Sequence, residues 1–257
     1  MSQKISVIIP AKDEAKSIGQ LITRTKKNLA ENRAEIIVVD DGSEDDTKGV
    51  AEFNGAITIT HSRTLGKGAA MKTGAKAATG DVLIFIDGDG AHIPDDIPKV
   101  LAPILQNKAD LVVGSRNFRD SKTLGYYIWR MITNKLASFS TSVFVSVLLP
   151  LATSFKYPLK WIAIEDAECG FKAIRKEEWQ SFNLLAQGFE IESEIIYEAC
   201  KNRLIIESVP INCNWNCRVS RLSIFRDGLR TLKLLFGKLN IARREGKTTQ
   251  SKKRSNF

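Results

Sequence analysis

Two aspartates one residue apart, Asp87 and Asp89, end an apolar run from Val82 to Ile86, with Gly88 between them and Gly90 after them. Two neighbouring carboxylates repel each other and gain nothing from packing, so a cation belongs between them. Hard oxygen ligands of this kind suit Mg²⁺ or Mn²⁺. The glycines remove side chains from the turn and let a bulky ligand approach the backbone. A plain Asp/Gly turn is the alternative reading of the same residues. Lys67, flanked by Gly66 and Gly68 at a helix start, and Arg116 are candidates to place positive charge near phosphates. Asp41 is a candidate acceptor for a base or ribose donor. Glu165 and Asp166 either supply a general base or cap the turn that follows. This set describes group transfer from a nucleotide-activated donor, with the cation neutralising charge on a leaving diphosphate.

The elements that must position these residues alternate. Apolar runs at Ile5–Ile9, Ile36–Val39, Ala56–Thr60, Val82–Ile86 and Asp110–Gly114 read as buried strands. Helical spacing fills the intervals: about Ala15–Glu31 with Asp13 as its N-cap, a helix through Phe53 capped by Ser43 with Asp46, Ala69–Ala78, and Pro94–Leu105. Strand–helix alternation with short loops predicts an α/β fold, a mostly parallel sheet with helices on both faces. Ligands of such sheets bind at the carboxyl ends of the strands. Pro10–Glu14, Asp40–Ser43, Asp87–Asp89 and Ser115–Arg116 all fall there.

Later residues are less regular. The segment from about 134 to 164 reads as an apolar insertion, and its uncharged part, Leu136–Phe155, is long enough to cross a bilayer. Its Ser and Thr content and Pro150 point rather to a buried or membrane-lying helix. Glu190–Asn202 reads as a helix and Leu204–Val209 as a strand. Residues 221–242 form an amphipathic helix, with Leu222, Phe225, Leu229, Leu232, Leu235, Phe236 and Leu239 on one side and Arg226, Arg230, Lys233 and Lys238 on the other. It either packs on the core of residues 1–220 or docks on an anionic bilayer. Residues 243–257 are basic, lack apolar periodicity and are expected to be disordered.

The 257 residues, 43% hydrophobic, suffice for one large α/β domain with an appendage, and the ordinary apolar content excludes wholesale disorder. A net charge of +9 invites an anionic partner. Four cysteines without a CxxC pair and two histidines apart from them argue against zinc and fit reduced thiols. The start runs straight into a strand, so no secretory signal is expected. There is no GxGxxG after the first strand and no GxxxxGK[ST], which removes the dinucleotide and P-loop readings.

In this order and spacing, ISVIIPAKDE, IIVVDDGSEDDT, LGKGAAMKTG, VLIFIDGDGAH, VVGSRN and DAECGFKAI resemble glycosyltransferase family 2, and within it the polyprenyl-phosphate (dolichyl-phosphate) mannose and glucose synthases. The resemblance spans Ile5 to Leu232. It implies a GT-A (Rossmann-like) fold and inverting transfer from a nucleotide sugar with Mg²⁺ or Mn²⁺. It also implies a polyprenyl-phosphate acceptor at the cytoplasmic face of a membrane, the chain being peripheral or monotopic there. By position it implies that Pro10, Lys12, Glu14, Val39 and Asp41 frame the base and ribose. Asp87 and Asp89 hold metal and diphosphate across Gly88, with Asp89 catalytic. Arg116 approaches the phosphates, Arg218 or Arg221 closes over the diphosphate, and Asp166 lies near the acceptor. Lys12 and Asp13 stand where the family usually has Tyr and Asn, so a stacking ring is lost. Ala91 stands where the mannose branch often has Gln. The DGDGA and CGFK forms look more like the glucose-transferring branch.

A lipid phosphate is already anionic and attacks without strong base help, whereas a sugar hydroxyl needs a carboxylate in reach. The expected activity is hexose transfer from UDP-glucose or GDP-mannose to a polyprenyl phosphate. The alternative is a family 2 enzyme acting on a saccharide hydroxyl in glycan assembly. No nucleic-acid partner is expected, because a binding module has no use for a metal site.

Overall fold

The computed structural model describes residues 3–29, 34–116, 124–153, 162–214 and 224–254. The strands are β1 (Ile5–Ala11), β2 (Ala34–Asp40), β3 (Ile57–Thr60), β4 (Val82–Phe85), β5 (Leu111–Arg116), β6 (Lys172–Arg175) and β7 (Ile206–Ile211). They form one sheet in the order β3-β2-β1-β4-β6-β5-β7. Every pairing is parallel except those of β6, which runs against both β4 and β5. All the other strands therefore end on one edge, and β6 begins there. Chain order reverses between β1 and β4, so a crevice opens where those two strands end.

Helices α1 (Ala15–Asn28), α2 (Thr47–Phe53), α3 (Lys67–Ala77) and α4 (Ile97–Leu105) cover the sheet, followed by α5 (Leu124–Val143), α6 (Leu149–Ala152), α7 (Lys176–Ser181), α8 (Ile191–Lys201) and α9 (Ile224–Arg254). Four consecutive residues of β4 are buried, as a strand covered on both faces requires. α1 buries Ile18, Leu21, Ile22 and Thr25, the stripe its spacing predicts.

Helix starts depart from the local capping patterns. Asp13 does not cap α1; it sits at φ 48°, and its Oδ1 accepts from the Glu44 amide at 2.8 Å. The first amides of α1 are met from the β2–α2 loop, Glu14 N–H donating to Thr47 Oγ1 at 2.7 Å and Ala15 N–H to Asp45 Oδ2 at 3.1 Å. Ser43 accepts from the Asp13 amide at 2.8 Å. The two loops at the carboxyl edge thus cap each other.

α5 continues through a π-helical turn at Phe144–Leu148 into α6. Its buried face is hydroxylic. Ser138, Ser142 and Ser146, four residues apart, accept from the amides of Ala167, Ile164 and Ile162 at 2.9, 3.0 and 2.9 Å. That ladder lays residues 162–167 along the helix and replaces the sheet partners their amides lack.

α9 packs on α8 and α6. Leu235 and Ala242 are buried with Phe144, Val145, Leu149 and Tyr197. Lys238, 4% exposed, pairs with Glu194 at 2.8 Å and Glu198 at 2.5 Å and donates to the Asn183 carbonyl. α9 runs to Arg254, where a disordered tail was expected from residue 243. Periodicity reports a buried face, whereas residues 243–254 hold six Arg and Lys and no Pro, so they can continue a helix already nucleated by the packed turns before them.

Lys238→Ala leaves two buried carboxylates without their cation. It should cost about 3–5 kcal/mol, read as a lower urea midpoint, and an unchanged midpoint would contradict this account of how α9 is held.

Candidate active site

Asp87 lies two residues past β4. In the antiparallel register Phe85 faces Lys172, so two residues further Asp87 reaches Gly170. A Cβ on Gly170 would stand 2.2 Å from Asp87 Oδ2, so any larger residue there displaces the Asp87 carboxylate. On the other side Gly88 lies against β1, where a Cβ would meet the Pro10 carbonyl and Ala11 at 3.1 Å. The carboxylate is thus seated in the crevice at the strand-order reversal.

Lys67 Nζ is 2.5 Å from Asp87 Oδ1 and 2.7 Å from Glu192 Oε1. Glu192 in turn pairs with Lys172, which also donates to the Cys169 carbonyl. The four groups alternate in sign along a row that is buried except at Asp87, whose side chain is 26% exposed at the crevice. Burial opposes charge on Lys67, yet Asp87 and Glu192 outweigh it and hold the ammonium far above its ordinary range. Burial likewise works to raise the Asp87 carboxyl, and Lys67 and His92 outweigh it, keeping it well below the usual carboxylate range. His92 Nε2 is 3.5 Å from Asp87. Burial pushes the imidazole down, but Asp87 and Cys213 lift it to about 9. Asp89, half-buried, accepts from the Ala91 amide at 2.9 Å through Oδ1.

Asp87 and Asp89 are the residues that would hold a divalent cation. Their all-oxygen chemistry and the cradle at Gly88 and Gly170 fit Mg²⁺ or Mn²⁺, with phosphate and water completing the shell. Among the described residues no third His, Cys, Asp or Glu completes a protein-only cage.

Arg116 ends β5. Its Nε donates to Asp166 Oδ2 at 2.7 Å and its Nη2 to Oδ1 at 2.8 Å, a bidentate pair, and Nη2 also reaches Asn134 Oδ1 at 3.2 Å. Asp166 is 1% exposed in its side chain. Burial favours its neutral form, but Arg116 outweighs burial and keeps it ionised. With both oxygens accepting from Arg116, Asp166 holds the guanidinium and is not disposed as a base. Glu168 differs: burial and Glu192 push its carboxyl up, and it accepts from Ser193 Oγ at 3.0 Å.

At the other end of the crevice the expected base and ribose frame divides. Lys12 Nζ donates to the Gly42 carbonyl at 3.0 Å and Thr64 Oγ1 at 2.6 Å, joining three loops along the rim. Pro10 and Glu14 are half-buried there. Val39 is fully buried, with Gly74 of α3 close enough that a Cβ there would lie 3.1 Å from it, so its side chain packs and presents nothing to a ligand. Asp41 is spent on the protein: it accepts from the amides of Leu65 and Gly66, both at 2.8 Å, and pairs with His61 Nδ1 at 2.7 Å. It fixes the loop that delivers Lys67. Gly66 and Gly68 are not a phosphate cradle, because the start of α3 abuts residues 186–188, with the Ala69 amide donating to the Gln187 carbonyl at 3.1 Å. Arg218 and Arg221 lie outside the described residues. His92, Gly170, Lys172 and Glu192 were not expected as site residues, although His92 closes the VLIFIDGDGAH run and Gly170 and Lys172 lie in CGFK; only Glu192 carried no sequence signal.

The model of glycosyl transferase family 2 matches residues 6–177, and the chain belongs to that family. A UDP-N-acetylglucosamine–dolichyl-phosphate N-acetylglucosaminyltransferase of Methanococcus voltae is 32% identical over 231 residues, 80% of this chain and 84% of that one. A dolichol-phosphate mannosyltransferase of Pyrococcus furiosus is 31% identical over 206 residues, 79% of this chain and 54% of that one. In fold the chain resembles glucosyl-3-phosphoglycerate synthase of Mycobacterium tuberculosis, solved with Mn²⁺, uridine diphosphate and glucosyl-3-phosphoglycerate. That match has a TM-score of 0.68 at 21% identity and covers 94% of this chain and 80% of that one. The sheet is of GT-A type, and the chain is a glycosyltransferase.

Two outcomes follow for the site. Lys67→Met frees Asp87 from its internal cation, so Mn²⁺ binding without nucleotide should tighten roughly tenfold by calorimetry; an unchanged affinity would show that Lys67 does not compete. Gly170→Ala should cut sugar transfer about 10²-fold by displacing Asp87 while the far-ultraviolet circular dichroism stays native; full activity would mean Asp87 is dispensable.

Proposed function

We propose that this glycosyltransferase moves a hexose, with inversion, from UDP-glucose or GDP-mannose to a polyprenyl phosphate of dolichyl type. On this reading it works at the cytoplasmic face of a membrane, as a peripheral or monotopic protein. An oxygen of the acceptor phosphate bonds to the anomeric carbon as the carbon–oxygen bond to the nucleoside diphosphate breaks, and no proton has to be removed from the acceptor. A bound divalent cation supplies the positive charge that stabilises the departing diphosphate. Asp87 and Asp89 anchor that end of the donor. Lys67 and the His92 imidazolium, already charged beside Asp87, add donors there. Pro10, Lys12 and Glu14 border the nucleoside end.

The observation that carries the acceptor choice is the bidentate Arg116–Asp166 pair. It withdraws the nearby carboxylate from base duty, which an acceptor that is already anionic does not need. The names of the two dolichyl-phosphate relatives support the same reading. Glu168 favours the second reading, transfer to a saccharide hydroxyl, because its raised carboxyl suits a proton acceptor.

The test is transfer of labelled hexose from each donor, with Mn²⁺, to a short-chain polyprenyl phosphate. Label should enter a solvent-extractable, mild-acid-labile product, and chelation should abolish transfer. Asp89→Asn should lower it by roughly 10²–10³-fold, the loss of a few kcal/mol of transition-state stabilisation. Label confined to a water-soluble saccharide, lost in Glu168→Gln, would establish the hydroxyl reading in its place.

A further inference from the structure

Helix α5 is inside out. That holds for the side chains described, residues 132–143: the buried positions there are Asn134, Ser138, Thr141 and Ser142, each at most 8% exposed, while Ile132, Leu136 and Phe139 stand 50, 65 and 59% exposed. Spacings of four and three residues put those three on one stripe. A helix resting on a soluble core shows the reverse, apolar inward and polar outward. α9 adds a second outward row, with Leu229 57%, Leu232 44% and Phe236 50% exposed. Phe236 of that row also stands edge-on to the buried Phe144, centroids 5.6 Å apart, which ties α9 to the segment just past the end of α5.

Charge decides between occupants. Arg226 and Arg230, exposed at 66 and 57% beside the α9 row, share one buried carboxylate, Asp227, at 3.8 and 3.6 Å and so keep a net positive charge, and Lys135 and Lys233 are exposed on the same two helices. A second copy would bring identical cations to the contact and repel across it, in a chain of net charge +9. An anionic bilayer offers hydrocarbon to the stripe and opposite charge to its border. Crossing is disfavoured, since 44% of the apolar window Ile132–Leu151 is buried in the protein, and the serine ladder ties α5 to residues 162–167. We infer that the outward rows of α5 and α9 seat this protein in one leaflet of an anionic membrane, Ile132, Leu136, Phe139, Leu232 and Phe236 entering the acyl boundary while Arg226 and Arg230 lie among the headgroups. The use of this surface rests on the lipid-phosphate reading above. Asn134, which accepts from Arg116, faces inward between Ile132 and Leu136, so the exposed stripe and the Arg116 site lie on opposite sides of one helix.

The experiment is flotation of the full chain with vesicles of phosphatidylcholine alone and of phosphatidylcholine with phosphatidylglycerol, without donor or acceptor. The protein should float with the anionic vesicles and less so as salt rises. Leu136→Ser with Phe139→Ser should weaken partitioning roughly tenfold or more, and Arg226→Gln with Arg230→Gln should remove the preference for phosphatidylglycerol. Lys48→Gln, on α2, should change nothing. Circular dichroism melting checks each fold, and single substitutions replace any pair that fails to fold. Absence from both vesicle types, flotation indifferent to Leu136 and Phe139, or a vesicle-free dimer dispersed by the same substitutions would overturn the inference. Transfer to a soluble short-chain acceptor is scored separately, so failure to float and failure of the proposed reaction are told apart.

Discussion

A carboxylate at the end of a strand buried on both faces has to be neutralised where it stands. Asp87 meets that demand through Lys67, and the solution propagates: Lys67 needs Glu192 as well, and Glu192 needs Lys172. The row draws together the end of β4, the start of α3, the start of α8 and the start of β6. Taking out one charge strands its neighbours in low dielectric, where an unpaired ion is far more costly than the pair is favourable. The same row that holds the fold at its crevice therefore sets the electrostatics that an arriving diphosphate and cation encounter.

The Arg116 side of the crevice is built on another principle. There the interior is filled by hydrogen bonds, from the Arg116–Asp166 fork to Ser138, Ser142 and Ser146 of α5 and the turn after it, and Ile132, Leu136 and Phe139 are turned outward. Buried polar networks of this kind are directional and hold a single geometry when satisfied. The two sides of the crevice thus differ in what makes them rigid: a row of ion pairs at the end of β4 on one, a single ion pair with hydroxyl-to-amide bonds along a helix on the other.

Much of this was legible in the residues. Apolar runs ending in charged turns gave the parallel strands, and the convergence of Pro10, Asp87 and Arg116 on one edge followed from strand direction alone. What escaped was non-local. Asp13 and Ser43 each carry a sound local capping pattern, yet each is engaged by the opposite loop, 30 residues away. Asp41 stands at a strand end as a ligand-binding acid would, but its oxygens meet amides 24 and 25 residues on. Glu192 and Lys172 look like ordinary helix and strand residues, because the partner that gives each its role comes from another element. The face α5 presents was hidden too: periodicity shows that a stripe exists, not which medium it meets.

The reversed direction of β6 has an architectural consequence. β5 and β6 are neighbours that run oppositely, so residues 117–171 leave the sheet and return to it at almost the same place. An excursion of that kind can grow, shrink or be exchanged without disturbing strand order, and closing a longer one costs little, about 0.6 kcal/mol per doubling of length. The two ends of this one, Arg116 and Gly170, flank the reaction centre. A lineage could therefore rewrite the middle of this excursion without reordering the strands, provided the turn from Asp166 to Gly170, which seats Arg116 and Asp87, is kept.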